Sequence, residues 1–353
     1  MVIMGHAMKN SLLSVFLTVM LLSGFALCGV ASFVCAQNST YLSGIISSDT
    51  TWTKTNSPYT LTGNVLIAND VTLTIEPGTS VNFEKYYIQV LGTLYARGNN
   101  EAAIHFIGSG YSSFDSTEKI FFENPSTDWN EESSSGCIIE NAQITGLSIR
   151  VNDASPKINN NQFGQPSGND VISITSANST PIITNNCFEF TESGVGYGIN
   201  VNGGNPKISG NTLTGNGFNT GIVSTGLIRL FNNTISGCWT GISGNSMIIE
   251  GNVILNNSRG ISVGSNSIIQ NNLISGNQYG INEGLTIIQN NTITYNLVGI
   301  QKPDPSSTIM YNNVHDNTEY NLYVASNENI DVSYNWWGTT DVQEINQSIY
   351  DYK

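Results

Sequence analysis

The sequence predicts an all-β fold, a parallel solenoid with three short strands per coil, and three observations carry that expectation. A column of Asn residues recurs at Asn161, Asn186, Asn211, Asn233, Asn252, Asn272, Asn291, Asn313 and Asn335, in steps of 25, 25, 22, 19, 20, 19, 22 and 22 residues. Three positions before each Asn stands an apolar residue (Ile158, Ile183, Ile208, Leu230, Ile249, Ile269, Ile288, Met310, Val332), and two positions after it a bulky one (Phe163, Phe188, Leu213, Ile235, Ile254, Ile274, Ile293, His315, Trp337). A third apolar column runs through Ile149, Ile174, Ile199, Ile222, Ile242, Ile261, Ile281, Ile300 and Leu322. Three apolar columns in short alternating runs require strands rather than a helix.

A period of about 20 residues is too short for a helix pair and fits one coil of a β-solenoid. Strands of successive coils pair backbone to backbone, which places the coils about 4.8 Å apart. A lone coil has no partner for its apolar side, so the stack has to be continuous. Asn suits the recurring corner because it tolerates left-handed backbone and its amide can hydrogen-bond up a ladder.

Taken in order, Lys9 precedes an apolar run over residues 12–34, and Val34-Cys35-Ala36 then gives the small-residue pattern of a cleavage site before Gln37. Residues 1–36 therefore read as a signal peptide or, if uncleaved, an N-terminal anchor, which would be the only membrane attachment. Residues 37–62, with Trp52, Pro58 and Tyr59, read as an N-terminal cap. The solenoid is expected over 63–338. Early coils occupy 65–83 and 87–106, and a polar interruption follows, with Ile120-Phe121-Phe122 as a strand and Asp128, Glu131 and Glu132 as a protruding acidic cluster. In residues 339–353, Thr340 is the expected N-cap of a short helix with Val342, Ile345 and Ile349 on one face, seated on Trp336 and Trp337 as a C-terminal cap.

Among 353 residues only 11% are charged and 35 are Gly, a composition shared with disordered chains, but disorder gives no reason for Ile at fixed offsets. Solenoids lengthen by adding coils, so one elongated domain is expected. A net charge of −14 argues against a nucleic-acid partner. Cys28 and Cys35 fall in the export segment, and the remaining Cys137, Cys187 and Cys238 are odd in number and at different offsets. Buried free thiols are expected rather than a disulfide framework.

The Asn-Asn-x-Ile and Gly-Ile repeats over residues 139–338 resemble the parallel β-helix repeats of pectate-lyase-like and NosD-type proteins. Thr60-Leu-Thr-Gly-Asn, Thr72-Leu-Thr-Ile-Glu-Pro-Gly-Thr79 and Tyr334-Asn-Trp-Trp-Gly-Thr-Thr-Asp341 look like segments common in secreted archaeal and bacterial β-helix proteins of unassigned function. The resemblance implies a right-handed, extracellular or cell-surface parallel β-helix, with polysaccharide as the customary ligand class. It specifies fold more strongly than function.

No catalytic set is expected. Related hydrolases use clustered Asp residues with a Gly-His-Gly segment, which this chain lacks; His315 falls in an interior column and His105 alternates outward. A lyase of this fold pairs a basic residue with carboxylates that hold calcium, and no carboxylate column appears, so no cofactor is expected and calcium only under the enzyme alternative. Met310, His315 and three scattered Cys make no metal set. Four positions before the Asn column lie Lys157, Lys207 and Arg229, either a strip for an acidic glycan or ordinary solvated charges. The same column continues as Ile248, Ile268, Ile287 and Ile309, a stripe for self-association unless it tilts inward or is covered. Tyr197, Trp239 and Tyr279 lie near turns, placed either to stack on sugars or to pack the turn. Asn-x-Ser/Thr sequons occur at Asn38, Asn178, Asn232, Asn256, Asn290 and Asn346, as chance predicts in so Asn-rich a chain. The expected function is an exported, non-catalytic surface rod binding polysaccharide or envelope partners; the alternative is a polysaccharide lyase, hydrolase or epimerase.

Overall fold

The computed structural model describes residues 39–109, 119–164, 170–189, 196–216 and 219–352. The apolar run at 12–34 and the cleavage site before Gln37 lie outside the described residues.

Each regular coil contributes a strand to each of three faces. Face A carries the strand before the Asn corner, such as Lys157–Asn159; face B carries the one after it, such as Gln162–Phe163; face C completes the coil, as in Asp170–Ile174. The face A strands form a 12-stranded sheet, and the strands of faces B and C join one 25-stranded ladder. The result is a right-handed parallel β-solenoid of about twelve coils. Parallel stacking begins at Thr40–Ile46, which pairs with Tyr59–Ile67.

The register explains why the apolar columns are dry. Ile158, Ile183, Ile208, Leu230, Ile249, Ile269 and Ile288 stand opposite one another from coil to coil and are all buried. Phe163 and Phe188 stack face to face at 4.7 Å between ring centres. On face C the column is Ile149, Ile172, Ile199 rather than Ile149, Ile174, Ile199. Ile174 is one inward position further on, opposite Val201, and is equally buried.

The corner between faces A and B divides two jobs between adjacent residues. The first residue turns the chain with positive φ, as at Asn160 (52°), Asn185 (56°), Gly210 (67°), Asn232 (55°), Gly251 (65°), Asn271 (57°) and Asn290 (56°). The next residue is the ladder Asn. Asn272, for example, donates Nδ2 to Ile249 O, Gln270 O and Asn291 Oδ1, each at 2.9 Å, and its backbone N–H to the same Oδ1 at 3.0 Å. The ladder begins where the N–H of Ala142, which has no amide of its own to offer, donates to Asn161 Oδ1.

Near the C-terminus the ladder corrects the periodic reading by one residue. Asn312, not Asn313, accepts from Asn291 and donates to Asn335, so the steps there are 21 and 23 residues. Tyr311 occupies the left-handed turn at φ 59° and Tyr334 the next at φ 61°, where an L side chain costs about 1–2 kcal/mol unless it is Gly or Asn. Ile309 and Val314 therefore point inward, while Met310 and His315 point outward. His315 is no core residue: its Nδ1 lies 2.8 Å from Asp316 Oδ2. Ile309 also leaves the outward stripe, and Thr308 takes its place opposite Ile287.

A second Asn ladder lines the corner between faces B and C. The N–H of Cys238 donates to Asn257 Oδ1, and Asn257, Asn277, Asn296, Asn317 and Asn321 continue it. Close approach accompanies it: a Cβ on Gly260 would stand 2.5 Å from Gly280 O.

At the C-terminus the helix spans Val342–Gln347, and its N-cap is Asp341, whose carboxylate accepts from Gln343 N and Glu344 N, rather than Thr340. Val342 is 67% exposed, so this helix presents no continuous apolar face to the last coil. Instead Ile349–Asp351 adds a parallel strand beside Tyr320–Val324, with Ile349 opposite Leu322. Trp337 packs partly against the core, whereas Trp336 is 45% exposed.

Candidate ligand-binding surfaces

The outward column of face A reads Lys157, Ile182, Lys207, Arg229, Ile248, Ile268, Ile287, Thr308. Two of its three cations are already engaged. Lys157 Nζ sits 3.2 Å from Glu131 Oε1 and 5.1 Å from the ring centre of Trp129, both brought over face A by the loop after Glu123. Arg229 is paired with Glu250, and that hydrogen bond holds the Glu250 carboxyl below the ordinary carboxylate range. The pair borders a hollow of about 480 Å³ with Phe231, Asn232, Gly251 and Asn271. Lys207 is exposed, with no carboxylate partner among the described residues. Among the described residues the strip thus presents one ammonium group without a carboxylate partner.

Face C gathers a different set. Its first column, two residues before the interior Ile, runs Asp170, Tyr197, Thr220, Thr240, Arg259, Tyr279, Val298, Tyr320, of which Thr240 and Val298 are buried. Tyr197 and Tyr279 therefore share a column, four coils apart. Trp239, 50% exposed, precedes Thr240 and lies beside the guanidinium of Arg259, 5.9 Å from ring centre to Cζ. Rung pairing fixes that approach, since Arg259 N–H donates to Trp239 O at 2.8 Å. Arg259 has no carboxylate partner among the described residues. Trp239, Arg259 and Tyr279 thus occupy three successive coils, and beside them Ser243, Ser262 and Asn282 form the next outward column.

Reasoning from the sequence singled out the two aromatic residues but missed Arg259 between them. The signal was present: Arg259 directly precedes a Gly-Ile pair, as do Tyr197 and Tyr279.

Asp170 lies at the other end of this column. Burial pushes its carboxyl above the ordinary range, while Asn200 Nδ2, at 3.0 Å from Oδ2, and the charge of Lys119 oppose the shift. Among the described residues no three His, Cys, Asp or Glu side chains form a metal-binding group. Cys137, Cys187 and Cys238 are free thiols. Burial pushes Cys137 and Cys238 up to about 12, and Cys187, less enclosed, rises too.

The fold is that of a right-handed parallel β-helix. Residues 148–285 match the family described as "Right handed beta helix region". No curated protein matches the chain. Similar solved structures include the Dettilon tailspike protein (13% identity, 88% of this chain and 63% of that one, TM-score 0.31). The A-module of the Azotobacter vinelandii mannuronan C-5 epimerase AlgE4 shares 14% identity over 88% of this chain and 93% of that one, TM-score 0.25. A mannuronic acid specific polysaccharide family 6 lyase from human gut microbiota shares 14% identity over 88% and 78%, TM-score 0.25. The chain spans less than two thirds of the tailspike's length. Among the described residues no helix is long and apolar enough to cross a membrane.

Proposed function

We propose that this chain is an exported, non-catalytic β-helix protein of the cell surface that binds an acidic polysaccharide on face C, through Trp239, Arg259 and Tyr279. The supporting observation is the guanidinium of Arg259, without a carboxylate partner among the described residues and held beside the half-exposed ring of Trp239, in a chain of net charge −14. A guanidinium against an aromatic ring keeps its N–H edges free for a carboxylate. The rings of Trp239 and Tyr279 offer apolar faces to the pyranose units on either side. Lys207 extends positive charge on face A, and the stripe Ile248, Ile268, Ile287 supplies a self-association surface.

Binding of polygalacturonate and alginate by the mature protein, followed by calorimetry, tests the reading. Trp239→Ala and Arg259→Gln are each expected to weaken binding about tenfold, and the salt dependence is expected to fall in Arg259→Gln. Unchanged affinity in both variants overturns the assignment. The second reading, a lyase, hydrolase or epimerase, draws on the raised carboxyl of Asp170 near Lys119. Unsaturated product or new reducing ends on incubation with these polymers would establish it and displace the binding-only reading.

A further inference from the structure

We propose that the paired rings of Tyr311 and Tyr334, with the exposed Trp336 on the adjoining face, form a platform for a neutral polysaccharide chain, separate from the acidic-glycan site on face C. The inference rests on reading the protein as a polysaccharide binder and adds a second ligand class.

Tyr311 and Tyr334 occupy the left-handed corner position that Asn or Gly fills in the seven preceding regular coils. Neither ring serves the core: Tyr311 is 56% and Tyr334 74% exposed. Backbone strain carried by exposed aromatic residues, where a cheaper residue serves every earlier coil, points to a role for the rings themselves. The ring centres are 5.7 Å apart with planes tilted by 30°. Their backbones are pinned, since Tyr311 N–H donates to Tyr334 O at 3.0 Å. The backbone of Trp336, whose side chain is 45% exposed, is held by its N–H bond to Asn312 O at 2.8 Å and a parallel bridge to Asn313.

The chemistry of the patch selects the occupant. The chain neighbours of the two tyrosines, Met310 and Asn312 on one coil and Ser333 and Asn335 on the next, carry no charge, and the nearby Asp331 carboxylate is turned onto the backbone N–H of Ser333. Exposed Asn313, two residues after Tyr311 and opposite Trp336 in the ladder, adds an amide on the adjoining face. Rings interleaved with amides suit a sugar, whose apolar C–H faces are bordered by hydroxyls. A protein partner ordinarily needs about 800 Å² of continuous surface, more than three rings provide.

The test is the double variant Tyr311→Asn/Tyr334→Asn, which restores the residue type of the earlier corners and so keeps the fold. Galactomannan, xylan and dextran serve as neutral probes, polygalacturonate as the acidic one. At least one neutral probe is expected to bind the native protein and to lose about tenfold in affinity in the variant. The melting temperature is expected to rise by about 1–4 °C as left-handed strain is relieved. Binding of polygalacturonate is expected to be unchanged in this variant and weakened about tenfold in Arg259→Gln, so failure of the face C assignment is read separately. If no neutral probe binds the native protein, or if all bind the variant as well, the platform is overturned.

Discussion

Asn291 donates both its backbone N–H and its side-chain amide to Asn312 Oδ1, each at 3.0 Å, and this shared acceptor fixes which residue of the Asn312-Asn313 doublet holds the coil. Asn312 is buried and also donates Nδ2 to Ile288 O, Met310 O and Asn335 Oδ1. Asn313 is exposed. Asn312→Ala strands several buried polar groups at once and is expected to lower stability by about 2–4 kcal/mol. Asn313→Ala is expected to stay within about 0.5 kcal/mol of the native protein. Urea midpoints of the two variants check this, and equal midpoints would remove the ladder from the account.

The interior was legible because a strand alternates strictly: Ile at fixed offsets such as Ile249, Ile269 and Ile288 has nowhere to go but inward, and all three are buried. The corner was less legible because doublets such as Asn160-Asn161 and Asn271-Asn272 offer two candidates for one ladder site, and composition does not say which turns. Only at Tyr311-Asn312-Asn313 did that ambiguity move residues between core and surface, exchanging Ile309 for Met310 and Val314 for His315. The second ladder, five residues after the first at Asn257, Asn277 and Asn296, was hidden because Cys238 begins it. Pairing across distant segments was invisible in one dimension: Glu131 reaches Lys157 over 26 residues, which reduces the basic strip that the sequence alone presents.

The glycine column at the corner between faces B and C has a steric consequence. A Cβ on Gly260 would meet Gly280 O at 2.5 Å, and the neighbouring side chain of Asn277 belongs to the buried ladder, so neither can give way. Gly260→Ala is expected to cost about 1–3 kcal/mol. Gly226→Ala, whose Cβ would meet nothing within 4 Å, is the control and is expected to be near neutral. Thermal unfolding of both, monitored by far-ultraviolet circular dichroism, gives the comparison.

The thiols divide by burial. Cys137 and Cys238 are pushed by burial from the ordinary thiol value of 9.0 up to about 12. In the unfolded chain these thiols ionise near 9.0, while in the native state they stay neutral until about 12. Their contribution is therefore complete below the lower value and is lost as pH climbs between the two. Replacing both with Ala is expected to flatten the alkaline fall in stability over that window. Under native conditions a thiol-reactive dye is expected to label Cys187 first, because it is only partly enclosed. Equal labelling rates at all three would contradict the burial pattern.

Asp170 yields a prediction that also separates the two functional readings. Burial raises its carboxyl, and Oδ1 is buried with no hydrogen-bond partner among the described residues, so the ionised form is poorly served in the native state. For a carboxyl raised on folding, stability is greatest below the unfolded value of 3.8 and declines as pH rises through the native one. At neutral pH Asp170 therefore detracts from the fold, and Asp170→Asn, which keeps an acceptor for Asn200 and removes the charge, is expected to melt at or above the native temperature. Lowering the pH from about 7 to about 4 is expected to narrow the difference between the two proteins. A surface chosen only for binding through Arg259 leaves polysaccharide affinity intact in this variant. If instead the native protein turns over a polymer and Asp170→Asn abolishes turnover while melting no lower, the strained carboxyl is a working acid or base, and the non-catalytic reading fails.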